Sequence, residues 1–293
     1  MQEVLLNAMH WTGKVKPIAF SIGNISVRWY GIFITTAMLI GLFLSIKRCA
    51  KLKISSDDML TLFLIAIPLA VIGARLGYVI SRFEYYFTSP YDWDAFVDTI
   101  AIWDGGLTIM VGVPFGVLGG LIWAKAKKIN FIDLANIVMP VVLLSQALGR
   151  WGNFFNQELY GQMITNPSLQ WFPMAIFIAD EGAFFQATFF YEMVLNIIGF
   201  FVLSYVTKHI NIRGIGIFGY VAWYYLVRGS LEFIRDDGTS SLDGAVNANI
   251  IYCYVAAAVA IIAIVVFIIL KKKKGQQIFY KKEIPLPDYV TKK

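Results

Sequence analysis

The run ANIIYCYVAAAVAIIAIVVFIIL, Ala248 to Leu270, carries no charged residue and is followed at once by Lys271 to Lys274. A bilayer core about 30 Å thick needs roughly 20 apolar residues in a helix, so this stretch predicts a membrane span ending at a basic boundary. Six more runs of similar character precede it: Tyr30 to Ile46, Met59 to Ile80, Gly105 to Trp123, Phe131 to Gly149, Phe184 to Val206 and Ile215 to Phe233. The expected fold is all-α, a single polytopic membrane domain over residues 1–293 with seven transmembrane helices. Composition agrees: 58% of residues are hydrophobic, 15% are charged and mean hydropathy is +0.65, too apolar for an ordinary soluble domain.

The charges are sorted along the chain. Lys47/Arg48/Lys51/Lys53, Lys125/Lys127/Lys128, Lys208/Arg213 and Lys271 to Lys274 follow the first, third, fifth and seventh runs. Glu84, Asp92, Asp94, Asp98, Asp180, Glu181, Asp236, Asp237 and Asp243 occupy the opposite connections. Positive-inside reasoning places the N-terminus outside and the C-terminus, with the basic tail 271–293, in the cytoplasm. The net charge of +6 is then an orientation signal and calls for no nucleic-acid partner. Met1 to Gly13 lacks the pattern of a cleaved signal peptide. Residues 150–183, rich in Asn, Gln and Pro, predict a small external cap after the fourth span. Ser55, Ser56, Asp57 and Asp58 are N-cap candidates for the second span, and Trp29, Trp103 and Trp171 suit water interfaces.

Within the spans, Gly112, Gly116 and Gly120 form a small-residue stripe that favours close helix packing, and Pro68, Pro114 and Pro140 predict bends that leave room for a cavity. Buried arginines say more, because a charge at membrane depth needs a cavity or a partner. Arg75, Arg150, Arg228 and Arg235 are the candidates. Arg228, Glu232 and Arg235 share one helical face by i, i+4 and i+7 spacing. An internal ion pair and an interface anchor are alternative readings for these groups taken singly. Taken together they suggest a site that grips an anion, since guanidinium matches phosphate geometry and stays charged when partly desolvated. A phospholipid head group is the expected anion; whether the protein transfers, transports or binds it stays open on these grounds.

The strings Val27-Arg28-Trp29-Tyr30-Gly31, Trp103-Asp104-Gly105-Gly106, Gly149-Arg150-Trp151-Gly152-Asn153-Phe154-Phe155-Asn156-Gln157-Glu158, Tyr191-Glu192 and Arg228 through Arg235 occur in the order and spacing of prolipoprotein diacylglyceryl transferases, and the chain resembles that family over most of its length. The resemblance implies a seven-helix bacterial plasma membrane enzyme with its active site toward the outer leaflet. Such an enzyme moves the diacylglyceryl group of phosphatidylglycerol to the lipobox cysteine thiol of a prolipoprotein, forming a thioether and releasing glycerol phosphate, with no metal or soluble cofactor. It also implies that Arg150 and Arg228 hold the phosphate, that Tyr30, Asn153 and Glu158 line the reaction space, and that Glu232, Tyr224, Gly161, Asn156 and Arg75 complete the substrate site.

One departure bears on mechanism. Family members similar to this chain carry a histidine after the WDGG-like turn, a proposed base for the thiol, where this sequence has Met110. The HPSQLYE-like string reads Gln186-Ala187-Thr188-Phe189-Phe190-Tyr191-Glu192, and the two histidines are His10 and His209. Either arginine potential activates the thiol with Glu158 or Tyr30 as proton acceptor, or the chain is a paralogue that binds lipid without transferring it. A transporter would show broken helices near the midplane and charges reachable from both faces. Cys49 beside Lys47 and Arg48, and Cys253 within the last apolar run, suit neither a disulfide nor a nucleophile.

Overall fold

The computed structural model describes residues 15–23, 25–87, 93–102, 105–235 and 248–280. Met1 to Gly13 with His10, Asp92, Trp103, Asp104, Asp236, Asp237, Asp243 and the tail 281–293 lie outside the described residues, as does the side chain of Asp94.

A short hairpin of β1 (Ile18–Ile22) and β2 (Ile25–Arg28) leads into α1 (Trp29–Cys49). Then come α2 (Ser56–Ser81), the short helices α3 (Phe83–Phe87) and α4 (Trp93–Ile100), α5 (Ile109–Ala126) and α6 (Phe131–Asn156). A second hairpin, β3 (Ala175–Ile178) and β4 (Ala183–Gln186), precedes α7 (Thr188–His209), α8 (Ile215–Glu232) and α9 (Ala248–Lys273). Each of the seven expected apolar runs thus falls on a helix. Six of these are long and apolar enough to cross a membrane by length and composition; α8, which carries Arg228 and Glu232 among several aromatic residues, is not one of the six. Leu64, Phe201, Val259 and Ile262 point outward and exposed, as residues facing lipid must.

Several boundaries differ from the sequence expectation for physical reasons. The third run starts as helix only at Ile109, because Gly105 and Gly106 adopt φ of +91° and +74°, outside the helical region. The fifth starts at Thr188, because Ala183–Gln186 pairs as a strand. The fourth continues past Gly149 through Arg150 to Asn156, so the cap begins later than residue 150. Ser55 caps α2, accepting from the Asp58 amide at 3.0 Å.

The chain forms two compact units, one of residues up to Ser45 and from Ala135 onward, the other Ile46–Leu134. In the second unit α2 and α5 meet along small residues. A Cβ on Gly112 would lie 2.9 Å from the Ala70 carbonyl oxygen, on Gly116 3.2 Å from the Ala70 Cβ and on Gly119 3.2 Å from the Ala66 Cα. Of the expected stripe, Gly112 and Gly116 therefore lie in this packing seam, extended by Gly119, whereas a Cβ on Gly120 would meet the Phe131 ring first, at 3.0 Å. In the first unit α8 packs on both α7 and α9. The turn from α6 to α7 carries its own apolar core of Ile176, Ile178, Phe185 and Phe189, against which Trp151, Phe154 and Tyr160 pack.

Candidate active site

The C-terminal turns of α6 bring the GRWGNFFNQE residues to one place. Arg150 donates from Nη1 to Asn153 Oδ1 at 3.1 Å and pairs through Nη2 with Glu192 Oε1 on α7. Asn153 donates from Nδ2 to Glu158 Oε1 at 2.8 Å, and Asn156 reaches the same oxygen at 3.3 Å. Glu158 can fold back in this way because the helix ends abruptly. Gln157 and Leu159 have φ of +50° and +57°, a conformation costly for residues other than glycine. Gln157 is held there by donating to the Phe177 carbonyl at 2.9 Å and accepting from the Ala179 amide at 3.2 Å.

A second ion pair comes from α8. Arg228 meets Glu232 Oε2 at 2.9 Å, and Arg235 lies 3.6 Å from the same oxygen. Asn249 of α9 donates to Glu232 Oε1 at 3.4 Å. Glu232 is 6% exposed, so desolvating a bare carboxylate there would be expensive; two guanidinium groups and an amide offset that cost. The cavity lined by Arg150, Asn153 and Glu192 is also lined by Leu231 and by Arg235, which lies beside the Arg228–Glu232 pair. Tyr224 stacks on Tyr220 with centroids 5.8 Å apart and lies within electrostatic reach of Arg150, Glu192 and Arg228.

Two glycines permit this assembly. A Cβ on Gly152 would sit 2.5 Å from Cδ2 of Tyr30, so the α1 tyrosine ring lies directly on the α6 backbone, within electrostatic reach of Glu158 and Arg150. A Cβ on Gly161 would sit 2.7 Å from both the Gln186 Cβ and the Ile234 carbonyl oxygen. Gly161 donates to the Gln186 carbonyl at 2.9 Å and bridges to Arg235, fastening the cap to the end of α8.

Of the residues singled out from sequence, Tyr30, Arg150, Asn153, Asn156, Glu158, Gly161, Tyr224, Arg228 and Glu232 all belong to this neighbourhood. Arg75 belongs to the other compact unit, where its guanidinium donates to the carbonyls of Thr99 at 3.0 Å, Gly105 at 2.8 Å, Gly106 at 3.1 Å and Asp98, and to the Tyr86 hydroxyl at 3.4 Å. Met110 stands 78% exposed at the start of α5. Cys49 and Cys253 are buried, free thiols. Sequence reasoning missed two participants: Glu192 as the partner of Arg150, and Asn249 as a donor to Glu232. The Tyr191-Glu192 string signalled the first; nothing around Asn249 signalled the second.

The family model described as prolipoprotein diacylglyceryl transferase matches residues 17–270. A phosphatidylglycerol--prolipoprotein diacylglyceryl transferase of Clostridium botulinum (strain Loch Maree / Type A3) is 39% identical over 227 residues, covering 76% of this chain and 86% of the relative. One of Listeria monocytogenes serotype 4a (strain HCC23) is 36% identical over 225 residues, covering 75% and 79%. On the extent of both matches, and with the matched segment containing every residue of the cluster, the chain belongs to the prolipoprotein diacylglyceryl transferase family.

Proposed function

We propose that this protein transfers the diacylglyceryl group of phosphatidylglycerol to the lipobox cysteine of prolipoproteins. The observation that carries the reading is the Arg150–Glu192 pair lining a cavity together with Arg235, which shares the Glu232 carboxylate with Arg228. In the reaction the thiolate sulfur attacks the glycerol carbon esterified to phosphate. The C–S bond forms, the C–O bond breaks, and glycerol phosphate departs with the electron pair. Arg150 and Arg228 bind the phosphate and stabilise the charge that develops on it, in a site poor in competing water. Glu192 and Glu232 fix the direction of the two guanidinium groups.

The thiol must lose its proton, and its ordinary pKa is about 8.5. Glu158 suits the role of acceptor. Glu192 and Glu232 are each held by arginine, whereas among the described residues Glu158 receives the neutral amides of Asn153 and Asn156, both on Oε1. Its Oε2 has no hydrogen-bond partner among the described residues and is the atom assigned to take the proton. Tyr30 borders the same space and orients the incoming group. On this reading Met110 is outside the chemistry.

The proposed setting is a bacterial inner membrane crossed by seven helices, α8 included, with the N-terminus and the active site outward and the C-terminus cytoplasmic. The basic residues after α1, α5, α7 and α9 support that orientation. The test is an assay with labelled phosphatidylglycerol and a lipobox peptide, comparing the unaltered protein with Arg228→Ala. Thioether product from the former and none from the latter is expected. Binding of phosphatidylglycerol without product across a broad pH range would sink the transferase reading in favour of a lipid-binding homologue.

A further inference from the structure

One turn away from the Arg150–Glu192 pair lies a second polar layer. Helix directions follow from the contacts. Asn136 near the start of α6 accepts from the Gly216 amide at the start of α8, so these two helices run alongside in the same sense. Gly219 of α8 faces Leu203 of α7, while Trp223, one turn later on α8, donates to the Leu195 carbonyl, earlier on α7, at 3.0 Å. Helix α7 is thus antiparallel to α8, and therefore to α6. Because Arg150 meets Glu192, Gln146 (one turn before Arg150) and Asn196 (one turn after Glu192) occupy the same level and the same facing stripes.

Gln146 donates from Nε2 to the Tyr220 hydroxyl at 2.9 Å. Its Oε1, and both Oδ1 and Nδ2 of Asn196, are buried with no protein partner among the described residues, and Asn196 is 0% exposed. Three such atoms would cost several kcal/mol in an apolar bundle if nothing met them, roughly 1–3 kcal/mol each. Two acceptors and one donor are what a single water satisfies: it donates to both oxygens and accepts from the amide, about the three bonds typical of buried water.

We propose that Gln146 and Asn196 hold an internal water that spaces α6 from α7 and so positions the Arg150–Glu192 pair. The positioning half of this inference rests on the proposed transfer reaction; the water site does not. Two experiments on the full-length protein in detergent separate them. In a thermal double-mutant cycle, Asn196→Leu and Gln146→Met each lower the midpoint by several degrees, because each leaves the other's polar atom stranded. The double variant, which strands neither amide, loses less than the sum. Additive losses would overturn the shared water, whatever the protein catalyses. In the transfer assay, Asn196→Leu lowers kcat about tenfold, the lower end of what supporting residues are worth, with KM for phosphatidylglycerol unchanged. Asn196→Ser, which keeps a donor and an acceptor and has room for a second water, recovers most of that loss. If the serine variant is as slow as the leucine variant, or if KM alone moves, the positioning role is wrong. A wild type inactive in transfer would count against the proposed function while leaving the thermal cycle to decide the water site.

Discussion

Arg75 and Arg150 are both guanidinium groups set in apolar helices, and their surroundings differ in kind. Around Arg75 the acceptors are neutral: four backbone carbonyls and a tyrosine hydroxyl, with the rings of Tyr78 and Tyr86 centred 5.5 and 5.6 Å from the guanidinium carbon. It makes no ion pair among the described residues. Its donors are used up on Asp98, Thr99, Gly105, Gly106 and Tyr86, which leaves none for a ligand. Around Arg150 the acceptors are a carboxylate and a side-chain amide, and the group opens on a cavity. A guanidinium saturated by backbone is a structural clamp, whereas one held from the side by a carboxylate keeps a face for an incoming phosphate. We therefore propose the first role for Arg75, which the family resemblance implies as part of the substrate site.

The sharpest way to break this contrast is to compare the two arginines in one transfer assay. Arg150→Ala is expected to reduce kcat on the order of 100- to 1000-fold, the scale for losing a preorganised donor to a developing oxyanion, and also to lower the thermal midpoint, because the buried Glu192 carboxylate loses its partner. Arg75→Lys should lower the midpoint and spare the rate. A point-like ammonium cannot reach five acceptors, so the thermal midpoint falls by several degrees while turnover per folded molecule is largely kept. If Arg75→Lys leaves the midpoint intact and abolishes transfer, the contrast fails.

Gly161→Ala tests the fastening of the cap to the end of α8. Its Cβ would press on a backbone oxygen, and overpacking of that kind costs about 1–3 kcal/mol. Both the midpoint and the rate should drop, the rate by less than for Arg150→Ala. Met110→His is expected to change turnover only a few fold, and a gain from an inactive wild type would reassign the base. Replacing Cys49 and Cys253 together by serine should leave transfer unaltered, since neither thiol is exposed.

Much of the architecture was legible in the sequence because apolar length is a one-dimensional signal: each of the seven runs lies on a helix. What escaped was set by polar groups that tertiary structure provides for. Residues 150–156 look unfit for a membrane helix, yet they stay helical because Arg150 and Asn153 turn into the site. The Arg228–Glu232 pair was readable from its i, i+4 spacing, a local quantity. The Arg150–Glu192 pair joins residues 42 positions apart, a separation that no periodicity encodes. The partners of Arg75 were equally illegible, since backbone carbonyls leave no trace in side-chain chemistry.

The seam between α2 and α5 has a consequence for how such a protein can change. Gly112 and Gly116 face Ala70, and Gly119 faces Ala66, at separations that leave no room for another carbon. Volume gained on one helix must be surrendered on the other, so substitutions here are tolerated as matched pairs and rejected singly. The two helices should drift through evolution as one unit, with covariation concentrated at these positions and absent from the lipid-facing residues between them.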